Sequence, residues 1–454
     1  MGSGEKLCLG RAFSSAGQRL RTERLASTLA ALHYLAFANL MLANLIKTFA
    51  QGSWVVQRRH AMLSALISHV VLLWSAFLPV WVHAQPRAHA RQQHYFVYVG
   101  TYTGAHSKGI YAYRFDAHAG RMTPIGLVAE LPNPSFVIAD RTNQHLYAVT
   151  EMGGHGPKDM HGAVSSYAID PHTGSLRFLN RVDSGGEGTC HLALDGTGRI
   201  LFVANYSSGS VASFAVNDDG TIGPRSGFDM HSGSSVNLER QTMPHPHEVV
   251  FSPDNRFVFV PDLGTDRVYI YRLDLANRSF STADPAFVTV AAGLGPRHLL
   301  FDPRAGFAYL VCEIGSRVVV YSYDAANGSL RAIQTVSTLP LRYKGPDESV
   351  EIQIDGGSKY IYVSNSDPDS ITVFSIDALH GTLENAQVVS TLGKLPRNFV
   401  LDPTGRYLIV ADQDSDRLVL LSIDRRNGRL KPTGRSQQVG SPVCILFVPI
   451  YGHA

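Results

Sequence analysis

The stretch LFVANYSSGSVASFAV, from Leu201 to Val216, decides the fold because its pattern recurs along the chain. The pattern is an apolar run, a small polar break and a second apolar run. Further copies are VFVPDLGTDRVYIYRL from Val258 to Leu273, IYVSNSDPDSITVFSI from Ile361 to Ile376 and LIVADQDSDRLVLLSI from Leu408 to Ile423. Short apolar runs bounded by Asp, Pro, Gly and Asn are typical of strands and turns. The sequence therefore predicts a repeat protein built of short strands.

The number of copies predicts the architecture. An aromatic or branched residue marks the first apolar run at Tyr98, Tyr147, Phe202, Phe259, Tyr309, Tyr362 and Ile409. A further apolar run precedes every copy but the first, and a unit of about 50 residues with four strands is typical of a propeller blade. The surplus run SPVCILFVP, Ser441 to Pro449, follows the last copy. We therefore predict an all-β, seven-bladed β-propeller over residues 92–450, whose C-terminal strand completes the first blade and closes the ring.

Charge and cysteine content narrow the class of protein. The chain of 454 residues has a net charge of +3, but residues 1–60 hold eight Lys or Arg against two Glu, which leaves −3 for the rest. A mildly acidic propeller without a basic stripe argues against nucleic-acid binding. Cys190, Cys312 and Cys444 fall in or beside predicted inner strands, so we expect buried free thiols rather than disulfides. A closed ring needs no partner subunit, and we expect a monomer.

The N-terminal region predicts export. Arg58 and Arg59 precede an apolar stretch from Met62 to Val82, and Val82-His83-Ala84 offers the small residues that a signal peptidase requires. Residues 58–84 are therefore interpreted as a signal peptide, with an uncleaved membrane anchor as the alternative because the stretch is nearly long enough to span a bilayer. Residues 1–57 fit neither interpretation and are treated as an extension, or as a start site placed too far upstream. The expected location is periplasmic or secreted, with the anchored form retained at the membrane.

A ring of polar residues is the candidate active site. The start of each inner strand lies on the same face of a propeller as the end of the second strand, and ligands are usually held there. The inner-strand starts are Ser135, Phe136, Cys190, His191, His247, Glu248, Arg297, His298, Val350, Glu351, Arg397 and Asn398. The ends of the second strands add Glu151, Asn205, Asp262, Glu313, Asn365, Ser366 and Asp412. Titratable groups that converge in this way mark a candidate catalytic site.

Several of these residues also have a purely structural interpretation. Asn205, Asn365 and Asp412 share one repeat position and are expected to be turn formers. The same holds for the aspartates that end the third strands, which are Asp170, Asp274, Asp324, Asp377 and Asp424. His245 is interpreted as a loop residue. A metal bound by His191, His247, His298 and a glutamate is an alternative that no ligand spacing supports, and we assign neither metal nor cofactor.

At these residues the chain resembles the 6-phosphogluconolactonase type of seven-bladed propeller, which includes the fungal carboxy-cis,cis-muconate lactonising enzymes. The matching stretches are YVGTYTG from Tyr98, VANYSSGSV from Val203, HPHEVVFSPDNRFVFVPDLGTDRV from His245, GPRHLLFDP from Gly295 and LPRNFVLDPTGRYLIVADQDSD from Leu395. The resemblance covers the whole predicted propeller. It implies a catalytic set of His247, Arg297 and Glu313, and it matches Arg397 to the Pro-Arg of the last blade. Asn365-Ser366 departs from the Asn-Arg that the family often shows.

The resemblance implies hydrolysis of a sugar lactone. His247 would deprotonate the attacking water, Glu313 would orient or share that role, and Arg297 would hold the oxyanion or an acidic substituent. The residues expected to bind the lactone are His191, His298, Glu351, Arg397, Asn398 and Glu151. Export and the serine at position 366 favour an unphosphorylated substrate. The alternatives are a non-catalytic periplasmic propeller that binds a ligand or protein, and a lactonising cycloisomerase.

Overall fold

The computed structural model describes residues 93–152, 161–304 and 306–451, and the regular secondary structure within them is almost entirely β-strand. The strands form seven four-stranded antiparallel sheets, each made of strands in chain order apart from the first. The predicted seven-bladed propeller is thereby confirmed. The extension at residues 1–57 and the segment 58–84 lie outside the described residues. In the part that is described, no helix has the length and hydropathy needed to cross a membrane.

The first four blades each run from an innermost strand outward to a fourth strand. Blade I consists of β28 (Pro442–Pro449), β1 (His94–Thr101), β2 (Gly109–Asp116) and β3 (Arg121–Glu130). Blade II consists of β4 (Val137–Ala139), β5 (His145–Thr150), β6 (Ala163–Ile169) and β7 (Leu176–Asp183). Blade III consists of β8 (Thr189–Leu194), β9 (Ile200–Asn205), β10 (Ser210–Val216) and β11 (Ile222–Met230). Blade IV consists of β12 (Val250–Phe251), β13 (Phe257–Asp262), β14 (Arg267–Asp274) and β15 (Ser279–Thr289).

The remaining blades follow the same order. Blade V consists of β16 (Pro296–Phe301), β17 (Phe307–Cys312), β18 (Arg317–Asp324) and β19 (Ser329–Ser337). Blade VI consists of β20 (Glu348–Ile354), β21 (Tyr360–Asp367), β22 (Ser370–Ile376) and β23 (Leu383–Ser390). Blade VII consists of β24 (Pro396–Leu401), β25 (Tyr407–Asp412), β26 (Arg417–Ile423) and β27 (Leu430–Gln438), with a short 3-10 helix at Gln413–Ser415.

The ring closes where the two ends of the described chain meet. Strand β28 pairs antiparallel with β1, from Tyr95 opposite Pro449 to Gly100 opposite Cys444. The C-terminal strand thus forms the inner edge of blade I, as predicted. Closure pairs the edge of β1 that would otherwise be open at the join, and propellers limit aggregation by protecting such edges.

The hydrophobic core lies between neighbouring blades. Successive side chains of a strand point to opposite faces of the sheet, and each face of a blade packs against one of its two neighbouring blades. The second strands are therefore largely apolar, and every residue of β9 and β13 is buried. The outermost strands, such as β3, carry mostly exposed side chains. Cys190, Cys312 and Cys444 are buried free thiols, as expected, but Cys312 ends the second strand β17 and does not lie on an inner strand.

The recurring tyrosine of the second strand also joins one blade to the next. Its hydroxyl donates to the carbonyl of a glycine in the turn between the third and fourth strands of the following blade. These hydrogen bonds are Tyr98 to Gly174 (2.9 Å), Tyr309 to Gly381 (3.0 Å) and Tyr362 to Gly428 (2.9 Å). At Gly174 the φ angle is +77° and an added Cβ would come within 2.6 Å of the Phe96 ring, so this position requires glycine.

The propeller has two rims with different roles. On the rim where third strands end, called the far rim, the aspartates are turn formers, as predicted. Asp170 Oδ1, for example, accepts hydrogen bonds from the amides of His172 (2.8 Å) and Thr173 (3.0 Å). The opposite rim, where second strands end and inner strands begin, is called the site rim because the predicted ring of polar residues lies there.

Candidate active site

Two cavities that share several lining residues occupy the centre of the site rim. The larger, the upper cavity, measures about 520 Å³ and is polar. Its lining residues are Tyr102, Thr103, Asn133, Glu151, Cys190, Tyr206, Ser207, Arg240, His247, Glu313, Arg397, Gln413 and Ser441. The smaller, the lower cavity, measures about 20 Å³. It is lined by Ser135, Phe136, Glu151, Cys190, His247, Arg297, His298, Glu351, Arg397, Asn398 and Val443.

Irregularities in the inner strands bring consecutive side chains into the channel. A regular strand would send neighbouring residues to opposite faces of the blade. In blade V the pairing of β16 with β17 skips Arg297, and in blade VII the pairing of β24 with β25 skips Arg397. Because a bulge re-aims the side chains around it, both members of the pairs Arg297/His298 and Arg397/Asn398 line the lower cavity.

One repeat position at the end of the second strands supplies much of the upper cavity. This repeat position holds Tyr102, Glu151, Tyr206, Leu263, Glu313, Ser366 and Gln413. Five of the seven line the upper cavity, and only Leu263 and Ser366 do not. The carboxylates Glu151 and Glu313 were predicted for this reason. Tyr102, Tyr206 and Gln413 were missed, although the same repeat position would have identified them.

Two arginines hold the carboxylate of Glu313. Arg297 Nε donates to Glu313 Oε2 at 2.7 Å, and Arg240 Nη2 donates to the other oxygen. Burial alone would raise the pKa of Glu313. The positive charges of Arg297 and Arg240 lower it by more than burial raises it, so the pKa lies below the usual value. Glu313 is therefore ionised at neutral pH. Arg297 also donates to the carbonyl of Val350 at 2.5 Å, which leaves it buried beneath the upper cavity.

A second arrangement faces Glu313 across the upper cavity. Arg397 Nη2 donates to the hydroxyl of Tyr102 at 2.9 Å, and this hydroxyl donates to Glu151 Oε2 at 3.0 Å. The Arg397 guanidinium also lies 5.3 Å from the centre of the Tyr102 ring. In the part of the chain that is described, Arg397 forms no ion pair with a carboxylate, whereas Arg240 and Arg297 do.

His247 lies at the boundary between the two cavities and lines both of them. Its backbone amide donates to the carbonyl of Pro261 at 2.9 Å, which extends the blade toward the site rim beyond β12. Burial lowers the pKa of His247 well below its ordinary value, and the cations Arg297 and Arg397, with His298, lower it further. The imidazole is thus neutral at pH 7 and has a nitrogen lone pair that can accept a proton.

The other predicted residues form a hydrogen-bonded floor below His247. Arg297 Nη1 donates to His298 Nε2 at 3.4 Å, so the proton of neutral His298 lies on Nδ1, 3.5 Å from Glu351 Oε1. Asn398 Nδ2 donates to Glu351 Oε2 at 2.6 Å. Burial lowers the pKa of His298. These contacts fix the floor across blades V, VI and VII.

The predicted set therefore separates by depth. Of the residues assigned from sequence, His247, Glu313, Glu151 and Arg397 line the upper cavity. Arg297, His298, Glu351 and Asn398 line only the lower one. His191 lines neither, because its ring packs against Phe136 (4.0 Å between centroids) and its Nδ1 accepts from the Val249 amide. Neighbouring Glu248 is largely shielded, with a side chain that is 14% exposed, and burial raises its pKa well above the usual value.

Arg240 is the main residue that sequence reasoning missed. It lies on the long connection between β11 and β12, outside the repeat, and its side chain is 37% exposed. Its Nη1 donates to Glu348 Oε1 at 3.1 Å, and Ser366 Oγ lies 3.3 Å from the second oxygen of Glu348. No repeat position predicts such a residue. In the described residues no group of three or more His, Cys, Asp or Glu is arranged to hold a metal ion.

Comparison with known proteins assigns this site to a family. Residues 96–447 match the model of the family described as lactonase, 7-bladed beta-propeller. The chain is 34% identical to a 6-phosphogluconolactonase of Bacillus subtilis, over 78% of this chain and 98% of that protein. It is 30% identical to a 6-phosphogluconolactonase of Formosa agariphila, over 68% of this chain and 87% of the other.

A solved structure agrees with these sequence matches. The periplasmic gluconolactonase of Pseudomonas aeruginosa superposes with a TM-score of 0.75 and 36% identity, covering 79% of this chain and all of the other. The match spans every blade and therefore includes the strands that position both cavities. The chain belongs to the seven-bladed β-propeller lactonase family.

Proposed function

We propose that this protein is an enzyme that hydrolyses a sugar lactone, and that its preferred substrate is an unphosphorylated aldonolactone. The observation that carries the proposal is the upper cavity, where a neutral buried imidazole, two carboxylates and two guanidinium groups surround a space of about 520 Å³. That volume falls within the range of small-molecule sites and exceeds a single six-membered lactone. The relatives that are named as lactonases support the reaction type.

His247 is proposed as the general base. Hydrolysis of a lactone requires a water to lose a proton as it attacks the carbonyl carbon, and a neutral imidazole can accept that proton. The lowered pKa of His247 keeps the imidazole neutral down to pH values below 6.5. Glu313 is less suited to this role because two guanidinium groups hold both of its oxygens. We assign Glu313 to positioning of Arg240 instead.

Arg397 is proposed to stabilise the oxyanion. Attack on the carbonyl places negative charge on its oxygen, and a guanidinium that has no carboxylate partner can hold that charge with a strong hydrogen bond. Arg397 faces the upper cavity and is already oriented by Tyr102. Arg297 was predicted for this role, but it is bonded to Glu313 and Val350 below the cavity. We therefore assign Arg297 to positioning of Glu313.

The balance of charge supports an unphosphorylated substrate. The upper cavity presents two guanidinium groups, Arg240 and Arg397, against two carboxylates, Glu151 and Glu313. A phosphate dianion would need an excess of positive charge, whereas a neutral polyol ring needs hydrogen-bonding groups of both kinds. Glu151, Tyr206 and Asn133 can provide these for ring hydroxyls. The name of the Pseudomonas relative, a periplasmic gluconolactonase, agrees with such a substrate.

The test is a pH-stat assay of the full-length protein on glucono-δ-lactone and 6-phosphogluconolactone, with the spontaneous rate subtracted. We expect kcat/KM for the unphosphorylated lactone to exceed that for the phosphorylated one by about tenfold, the size expected when one buried charge is poorly matched. A preference for the phosphorylated lactone would overturn the substrate assignment. Rates equal to the spontaneous rate on both lactones would overturn lactone hydrolysis itself.

Export from the cytoplasm is proposed separately. It is supported by the pattern in residues 58–84 and by the periplasmic location in the name of the Pseudomonas relative. The measurement is N-terminal sequencing of the protein from the cell fraction in which it accumulates. A mature start at Gln85 in the periplasmic or secreted fraction is expected. An intact N-terminus in the cytoplasm would overturn export.

A further inference from the structure

Two buried polar atoms beside the lower cavity lack a protein partner. His247 Nδ1 and Ser135 Oγ are both inaccessible to solvent, and neither has a hydrogen-bond partner among the described residues. Both side chains line the lower cavity. Ser135 and His247 are 6% and 7% exposed, so bulk water does not satisfy these atoms. An unpaired buried hydrogen-bonding group costs about 1–3 kcal/mol in general, so a partner for both atoms is expected.

The lower cavity has the size and polarity to supply that partner. Its volume of about 20 Å³ accommodates a water molecule, which needs roughly 10–15 Å³ and two to four polar neighbours. Besides the two unpaired atoms, its polar wall includes Glu351, Asn398 and Arg297. A dry cavity of this kind is normally lined by apolar groups, which is not the case for this one.

We propose that an ordered water occupies the lower cavity and bridges His247 to Ser135, and that this water sets the tautomer in which His247 acts as a base. The water accepts a hydrogen bond from His247 Nδ1–H and donates one to Ser135 Oγ. With its proton held on Nδ1, the neutral imidazole presents an unprotonated Nε2 to the upper cavity. Ser135 thus acts as a positioning residue through the water, and it does not touch the substrate.

This inference rests on the proposed role of His247 in lactone hydrolysis. Charged and titratable groups around the imidazole come from several blades, and they are Arg297, His298, Arg397, His191, Glu151, Glu351 and Cys190. None of them forms a hydrogen bond with His247 Nδ1, because that atom is unpaired within the described part of the chain. The bridging water is therefore the element that couples His247 Nδ1 to Ser135.

The structural test is a crystal structure of the protein at a resolution that defines single waters. We expect one ordered water within hydrogen-bond distance of both His247 Nδ1 and Ser135 Oγ. In Ser135→Val the added methyl groups should displace it. A lower cavity without a water in the wild-type protein, or a direct Ser135–His247 hydrogen bond, would overturn the proposal without any reference to activity.

The functional test compares Ser135→Val with Ser135→Ala and with Ser165→Ala. Ser165 is a matched control, because its hydroxyl is likewise buried and unpaired in the described structure but lines neither cavity. Displacement of the water in Ser135→Val should lower kcat about tenfold, less than loss of the whole base, with KM unchanged. Ser135→Ala leaves room for the water and should lower kcat about fivefold. Ser165→Ala should leave kcat as in the wild type.

The pH profile separates positioning from loss of structure. Without the water, the imidazolium form of His247 loses an acceptor, so the acid limb of kcat/KM should move to lower pH in Ser135→Val. If Ser135→Val leaves both kcat and the acid limb of kcat/KM as in the wild type, the water bridge is refuted. Wild-type activity in His247→Gln would instead overturn the proposed role of His247 as general base. Loss of activity there with normal kcat in Ser135→Val would refute the water bridge alone.

Discussion

The two rims of the propeller use polar residues in opposite ways. On the far rim the aspartates bond to amides of their own turn, and these hydrogen bonds lower the pKa of Asp170 and Asp377. On the site rim polar side chains are buried and bond across blades, as Arg397 of blade VII does to Tyr102 next to blade I. Hydrogen bonds within one turn stabilise the repeat but form no candidate catalytic site. Contacts between blades instead form a cavity whose titratable side chains have shifted pKa values. Variants at matched positions on the two rims can test this difference.

The largest difference is expected for histidine. His247→Gln should lower kcat/KM by about 10²- to 10⁴-fold, the range attributed to a general base. His118 lies exposed in a far-rim turn, and His118→Gln should leave kcat/KM unchanged. In the wild-type protein the acid limb of kcat/KM should fall below pH 6.5, because the free base is lost only as pH drops through the lowered pKa of His247. Steady-state assays across pH measure both effects, and comparable losses in the two variants would refute the distinction.

The carboxylates should differ in both activity and stability. Glu313→Gln leaves Arg297 and Arg240 without their shared anion, and breaking a buried pair costs about 3 kcal/mol or more in unfolding free energy. We expect kcat/KM to fall as well, because both arginines lose their position. Asp377→Asn on the far rim keeps an oxygen that accepts the turn hydrogen bonds and loses only the exposed contact of Oδ2 with His380, so it should cost less than about 1 kcal/mol. Urea denaturation measures both, and equal losses in the two variants would contradict the comparison.

A smaller effect is expected for arginine. Arg240 lines the upper cavity with a partly exposed side chain, and we expect it to bind the lactone through one charge-assisted hydrogen bond. Arg240→Gln should therefore raise KM about tenfold and change kcat less. The matched control is Arg426→Gln, since Arg426 pairs with Asp424 on the far rim and its side chain is 90% exposed. Initial rates at varied lactone concentration give the two constants. A large fall in kcat at constant KM would move Arg240 from binding to the chemical step.

The same difference between rims explains what the sequence could predict. Strand order and the far-rim turns follow from short-range patterns, and ring closure follows from the surplus run after the last copy. These predictions were confirmed. Glu313 and Glu151 were found because they occupy a repeat position at the end of the second strands. Arg240 lies on a connection outside the repeat, and its contact with Glu313 depends on how two blades pack. The bulges at Arg297 and Arg397 likewise change the face of the sheet to which side chains point, and no sequence pattern predicts these bulges.

The smallest expected effect concerns Asp412, which occupies the position that holds Asn205 in blade III and Asn365 in blade VI. Burial raises the pKa of Asp412 to about 7, although Thr391 and Arg417 lower it in part. The folded state therefore keeps a proton that the unfolded chain releases near pH 4, and stability falls as pH rises toward 7. Asp412→Asn should raise Tm by about 2 °C at pH 8, with the gain vanishing below about pH 4.

The reverse change, Asn365→Asp, should lower Tm at pH 8, because a buried amide that donates to Ser370 and Thr372 becomes a carboxylate. Thermal unfolding at the two pH values measures both variants. A loss of stability in Asp412→Asn at pH 8 would mean that the charged carboxylate of Asp412 stabilises the site rim. The two rims would then differ even at positions that follow the repeat.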